Sequence, residues 1–137
     1  MGKIIVKVKL TNYLDEQLKK LKLRKDKPRS VETEALVDIG ATRLYLKSNV
    51  IRALGLKKEG EIDSKTTNGV RRRATYQPAR LDIMGRYGHF DVVEVDNDVP
   101  NLLGQIPLEH LDFVVDPKRQ KLVPNPEHGD RQMSEEY

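Results

Sequence analysis

Apolar and polar residues alternate along most of the chain, in short runs separated by turn residues. Alternation with a period of two predicts β-strands, because successive side chains of a strand point to opposite faces. Strands are predicted over residues 3–10, 30–37, 44–46, 61–67, 70–76, 81–84, 89–95, 113–115 and 122–123. Many short strands with little helix indicate a mainly β domain, most simply a closed or nearly closed barrel.

Three segments depart from this period. Residues 12–21 predict a short amphipathic helix, because their three leucines fall on one helical face and Asn12 is a candidate N-cap. Residues 48–56 predict a second helix that Gly55 ends. Residues 107–111 predict a third, with proline in the first turn, where it is tolerated.

A hairpin is predicted at Asn68-Gly69, between the strands over 61–67 and 70–76. Asn-Gly is a strong hairpin signal, because both residues accept positive φ. Pro78 is expected to end the second arm or to place it at a sheet edge.

The strand over residues 30–37 leads directly into an acid. Residues 35–42 read Ala-Leu-Val-Asp-Ile-Gly-Ala-Thr, so Asp38 follows an apolar strand end and Gly40 permits a tight turn or a close backbone approach. A strand, an acid and a tight turn present one carboxyl group at the floor of a cleft. The alternative is a turn carboxylate that accepts hydrogen bonds from nearby backbone N–H groups.

This octet resembles the active-site loop of the retroviral-like aspartic proteases (retropepsin type, clan AA), in which an apolar run precedes Asp-Thr/Ser-Gly-Ala. Residues 99–108 contain the Leu-Leu-Gly sequence that packs beside this loop in that family, and the Asn68-Gly69 hairpin has the flap's place in the order of elements. The resemblance is to a single-domain bacterial or archaeal-like member. It implies an acid-protease barrel over residues 1–124, and the polar residues 125–137 are predicted to be a disordered tail.

The resemblance also implies roles for individual residues. Asp38 is the catalytic acid and base, and Ile39, Gly40, Ala41 and Thr42 complete the active-site loop. The other implied site residues are the flap residues Thr67, Asn68, Gly69 and Val70, and Leu103 and Gly104, which pack behind the loop.

One chain supplies one such aspartate. Hydrolysing a peptide without a metal or a covalent nucleophile needs a base for the water and an acid for the leaving nitrogen, and two carboxyl groups that share a proton do both. A two-fold dimer would bring Asp38 of each protomer together. We therefore expect a homodimeric aspartic endopeptidase that acts on peptides or proteins without a cofactor or metal.

Position 39 departs from the family pattern. Ile39 stands where the family has Thr or Ser, whose hydroxyl donates a hydrogen bond across the dimer axis, and Ile cannot donate it. The alternative function is therefore a catalytically weakened or inactive module that binds peptides or partner proteins. Thr42, Arg43 and Gln105 also replace the acids and the arginine that are frequent in retroviral members.

The composition argues against several other classes of function. The 137 residues suit one domain, the absence of cysteine excludes disulfides and thiol catalysis, and the three histidines lack metal-ligand spacing. The net charge of +4 raises the possibility of nucleic-acid binding, but the 5% aromatic content and the lack of a recognised motif argue against it.

The run Arg71-Arg72-Arg73 permits a preference for acidic substrates, although a solvated hairpin arm is the simpler interpretation. No apolar run is long enough to span a membrane and no signal peptide is recognisable, so we expect a cytoplasmic protein.

Overall fold

The computed structural model describes residues 3–134 and residue 136. The strands are β1 (Ile5–Asn12), β2 (Ser30–Val37), β3 (Leu44–Lys47), β4 (Lys58–Thr66), β5 (Gly69–Ile83), β6 (Arg86–Val95), β7 (Leu102–Leu103), β8 (Phe113–Asp116) and β9 (Lys121–Pro124). The helices are α1 (Tyr13–Lys20), α2 (Ser48–Leu54) and α3 (Gln105–His110), and a 3₁₀ helix covers Pro126–His128.

Six strands form a closed barrel in the order β1-β2-β7-β3-β6-β5, and pairing between β5 and β1 closes it. The β2–β7 and β3–β6 pairs are parallel, whereas the other pairs of the ring are antiparallel. β4 pairs with β5 outside the ring, and β8 and β9 form a separate two-stranded sheet. This confirms the predicted mainly β fold with a closed barrel and a few short helices.

β5 is one long strand, although Pro78 was expected to end the hairpin arm or to place it at a sheet edge. Its first half pairs with β4 up to Tyr76, and its second half pairs with β1 from Ala79 onward. Pro78 lies where the strand changes partner and where its register with β6 also shifts, between Tyr76 and Ala79. A residue without a backbone N–H is tolerated at such an irregularity, because no ladder hydrogen bond is lost there.

The hairpin between β4 and β5 is present, but its turn lies one residue earlier than predicted. Thr66 pairs with Gly69, so the two turn residues are Thr67 and Asn68, and neither has positive φ. Gly69 alone does, at 109°. The turn with two successive positive φ angles is instead at Met84-Gly85, between β5 and β6.

The barrel core is formed mainly by aliphatic side chains. Those that are fully buried include Leu10, Leu44, Leu46, Leu54, Leu81, Ile83, Leu103 and Leu111. Asn12 is buried beside them and caps α1 as predicted, because its side-chain oxygen accepts a hydrogen bond from Asp15 N (3.0 Å). Its amide also donates to Leu54 O at the end of α2 (2.8 Å), which joins two helix ends.

The division of the chain at residue 124 and the disorder of residues 125–137 stay predictions. Residues 1, 2, 135 and 137 lie outside the described part of the chain. Within it, the segment after β9 contacts the turn between α3 and β8, since His128 Nδ1 is 2.6 Å from Asp112 Oδ2 and Met133 N donates to the same oxygen.

Candidate active site

Asp38 directly follows the last residue of β2 and begins a tight loop. Its backbone N–H donates to Leu103 O (2.9 Å), and its carbonyl accepts from Ala41 N (3.1 Å). Its carboxylate Oδ1 accepts from Gly40 N (3.0 Å). This contact is the one expected of a turn carboxylate, and it fixes the carboxyl group at the end of the strand.

The loop is held from behind by the segment that follows β7. Gly104 N donates to Arg43 O (2.8 Å), and Ile106 N donates to Thr42 O (2.9 Å). A Cβ atom at Gly104 would lie 2.6 Å from Arg43 O and from the Thr42 carbonyl carbon, which is closer than such atoms approach in proteins. Glycine is therefore needed for the two backbones to pack directly against each other.

Gln105, the first residue of α3, contacts the active-site loop twice. Its backbone N–H donates to Ala41 O (2.9 Å), and its side-chain Nε2 donates to Ile39 O (2.8 Å). Sequence reasoning gave Gln105 no role beyond a departure from the family pattern. Its position directly after Leu-Leu-Gly was the signal available.

Asn101 is a second supporting residue that the sequence did not identify. It is 2% exposed, its side-chain amide donates to Glu34 O (3.0 Å), and its Oδ1 accepts from Lys47 N (2.8 Å). Its own carbonyl accepts from Leu36 N (2.8 Å). One buried side chain thus joins β2 and β3 beside the site.

The active-site loop and the β4–β5 hairpin line the same open cleft, of about 1160 Å³. Six of the site residues expected from sequence line it, namely Asp38, Gly40, Ala41, Thr42, Thr67 and Asn68. The other five are not among the lining residues. Gly69 and Val70 begin the second hairpin arm, with Val70 64% exposed, whereas Leu103 is fully buried and Gly104 packs behind the loop.

Ile39 lies on the outside of the loop rather than in the cleft. Its side chain is 61% exposed, and that of Ile106, in the neighbouring segment, is 49% exposed. We call these two residues the loop-apex pair.

Neither a metal-binding cluster nor a membrane-spanning helix occurs among the described residues. Over residues 3–134 and 136, no three His, Asp or Glu side chains come together as a group that could hold a metal ion. No helix in the same range is both long enough and apolar enough to cross a membrane.

A comparison with protein-family models gives a match. A family model described as aspartyl protease matches residues 20–106, which is more than half of the chain and includes the Asp38 loop, the hairpin and the Leu-Leu-Gly segment. The search of curated proteins found no match.

Proposed function

Because the chain belongs to the aspartyl protease family, we propose that it is an aspartic endopeptidase that acts as a homodimer, with Asp38 of each protomer in one shared catalytic site. Membership of the family supports a protease-like function in general. The dimer, the catalytic pair and the roles of the other residues are the parts that we propose.

The observation that carries this proposal is that one chain offers one suitable carboxyl group. Among the described residues, the acids that line the cleft are Asp38 and Asp63. Asp63 is on the flap arm, where its carboxylate lies 3.4 Å from Arg72 Nε. The acid–base pair that peptide hydrolysis needs therefore requires a second copy of Asp38.

The loop-apex pair supports the dimer. Ile39 and Ile106 are both exposed beside the loop that carries Asp38. Covering them with the same surface of a second protomer would bury apolar area and would place the two loops next to each other on a two-fold axis.

In the dimer, the two Asp38 carboxyl groups share one proton, because two like charges so close together do not both ionise. The ionised carboxylate accepts a proton from water as the water attacks the peptide carbonyl. The protonated carboxyl donates a hydrogen bond to the carbonyl oxygen, and a proton then passes to the leaving nitrogen. Gly40 fixes the orientation of its own Asp38 through the N–H···Oδ1 hydrogen bond.

The remaining expected site residues have supporting roles in this proposal. Ala41 and Thr42 border the substrate backbone beside Asp38, and Leu103 and Gly104 hold the loop from behind. The hairpin residues Thr67, Asn68, Gly69 and Val70 form a flap that closes over an extended peptide. Pairing with such a strand provides backbone hydrogen bonds that do not depend on substrate sequence.

A second candidate function is a peptide-binding module with weak or no catalysis. Ile39 favours it, because its side chain has no hydroxyl to hold the partner's loop. The cleft and flap would then bind a peptide without cleaving it.

The test is cleavage of a mixed peptide library by the purified chain, from mildly acidic to neutral pH. Asp38→Asn should abolish cleavage, whereas Asp63→Asn, which alters the other acid lining the cleft, should preserve it. Equal loss in both variants would contradict the assignment of Asp38. No cleavage by a folded wild-type dimer would favour the binding module.

Mixed dimers test the shared site. When wild-type and Asp38→Asn chains are co-expressed and allowed to exchange, activity should fall as the square of the wild-type fraction, because each site needs two intact carboxyl groups. A linear fall would mean that each protomer has a complete site of its own.

A further inference from the structure

Arginine residues lie on two sides of the cleft that contains Asp38. Arg43 directly follows the active-site loop, and Arg71 and Arg73 lie on β5, in the second arm of the flap hairpin. All three are among the residues that line the cleft. The space beside Asp38 is therefore bordered by arginine residues from two walls.

The strand register places Arg71 and Arg73 on the cleft face of the hairpin. Arg71 pairs with Ser64 and Arg73 with Ile62, and residues that pair directly share a face of the sheet. Ser64 and Ile62 are half-buried, whereas Asp63 between them is exposed. Of the three arginines, Arg71 and Arg73 line the cleft and Arg72 does not, so the face of β5 that carries Arg71 and Arg73 is turned toward the cleft.

Arg72 belongs to the opposite face. It pairs with Asp63 in the register, and its Nε lies 3.4 Å from Asp63 Oδ1. The run of three arginines is thus divided by the two-residue period of the strand into two that face the cleft and one that does not.

The arginines that face the cleft are poorly neutralised. Arg71 Nη1 is 3.8 Å from Asp96 Oδ2, and both side chains are more than half exposed, so this ion pair is weak and exchanges easily. Arg43 and Arg73 form no ion pair with any residue of the described ranges 3–134 and 136. Four basic residues (Arg43, Lys65, Arg71 and Arg73) and two acids (Asp38 and Asp63) line the cleft, so its lining has a net positive charge, and the walls of a cleft concentrate such a field.

We propose that this cleft selects peptides with Asp or Glu side chains next to the scissile bond; the proposal rests on the protease function proposed above and adds its substrate class. Guanidinium groups bind carboxylates through two parallel hydrogen bonds, which favours an acidic side chain over a neutral one of the same shape. A substrate carboxylate at Arg71 would replace Asp96 as its partner.

The spacing of the two flap arginines makes the proposal more specific. Arg71 and Arg73 are two residues apart on one face of β5. An extended peptide bound along this strand also presents every second side chain on one face. Acids at alternate positions of the substrate therefore match the two arginines, with Arg43 available to a carboxylate on the loop side.

Three peptide pools test this inference. The pools are randomised in the same way but carry Glu, Gln or Lys at two fixed positions separated by one residue. We expect kcat/KM to be about tenfold higher for the Glu pool than for the Gln pool at low salt, with the ratio shrinking as ionic strength rises. Equal rates, or a preference for the Lys pool, would overturn the proposal.

Binding of the same pools to Asp38→Asn, measured by fluorescence anisotropy, separates substrate preference from hydrolysis. A preference for Glu in binding without cleavage by the wild type would support the charge selectivity and contradict the protease function. Cleavage of all three pools at equal rates by the wild type, together with equal affinities of Asp38→Asn for them, would support the protease function and contradict the charge selectivity. A single-stranded oligonucleotide that displaces the Glu pool at lower concentration than Glu peptides do would overturn the proposal in favour of phosphate binding.

Variants assign the effect to the cleft face. Arg73→Gln and Arg43→Gln should each bring the Glu-to-Gln ratio toward one. Arg72→Gln is the matched control, because it removes the same charge from the opposite face of the same strand, and it should leave the ratio unchanged. An equal reduction in all three variants would show that only the total charge of the chain matters.

Discussion

The side-chain amide of Gln105 donates a hydrogen bond to the carbonyl oxygen of Ile39 (2.8 Å), across a separation of 66 residues in sequence. The residue that lacks the hydroxyl of the family pattern is thus held through its backbone by its own chain. Gln105 also binds Ala41 O through its N–H, so both sides of the loop apex are attached to α3. Both hydrogen bonds lie within one chain.

Gln105→Ala should lower kcat with little change in KM, because its amide holds the loop and Gln105 is not among the residues that line the cleft. One hydrogen bond of this kind contributes about 1 kcal/mol, so kcat should fall roughly fivefold. Steady-state kinetics measures kcat and KM, and thermal unfolding measures the change in stability. Gln132→Ala is the control, since the Gln132 amide also donates to a backbone carbonyl, that of His110, outside the loop. Similar losses in both variants would contradict a specific role for Gln105.

Ile39→Thr should raise the rate of hydrolysis by supplying a hydroxyl that can donate across the axis of the proposed dimer. The expected gain is several-fold, since each new hydrogen bond contributes about 1 kcal/mol. Ile39→Val is the matched control, because Val has nearly the shape of Thr but no hydroxyl. The ratio of kcat between the two variants isolates the hydroxyl, and a ratio of one would remove the idea that its absence weakens catalysis.

Gly104→Ala should destabilise the barrel and the loop together. The new Cβ would lie 2.6 Å from Arg43 O, and only a backbone shift relieves that contact. We expect a loss of about 1–3 kcal/mol in the free energy of unfolding, as for other overpacked sites. Gly60→Ala provides the comparison, because its Cβ would be 3.5 Å from Thr75 Oγ1, an ordinary contact. Urea denaturation of both variants should separate them clearly.

Asp15 should make stability depend on pH at the acidic end. The side-chain hydrogen bonds from Arg29 (2.8 and 3.0 Å) lower the pKa of Asp15 even though burial raises it. A carboxyl group whose pKa is lower in the folded state contributes stability above its unfolded pKa, about 3.9, and loses that contribution as the pH falls through the folded pKa. The chain should therefore lose stability on acidification below about pH 5.

Asp15→Asn tests that contribution. At neutral pH the variant should be less stable by about 2 kcal/mol, and the difference from the wild type should shrink as the pH falls. Urea unfolding at several pH values gives the comparison. Asp26→Asn, an exposed acid in the segment between α1 and β2, should stay within about 0.5 kcal/mol of the wild type throughout. A constant difference for Asp15→Asn would mean that its effect is not one of charge.

The sequence by itself determined the elements that depend on local patterns. Alternation predicted five of the six strands of the barrel, all except β7, and Asn12 and Gly55 predicted the start of α1 and the end of α2, because side-chain periodicity and capping are decided within a few residues. The position of Asp38 at a strand end was equally visible.

Only the tertiary structure decided the contacts between distant segments. The hydrogen bond from Gln105 to Ile39, the packing of Gly104 on Thr42, and the change of partner of β5 at Pro78 depend on which strands become neighbours in the ring. The same holds for the division of Arg71, Arg72 and Arg73 between two faces, because strand register is fixed by pairing across the sheet. Local propensity carries no information on which distant segments become neighbours, so these contacts are decided by closure of the barrel.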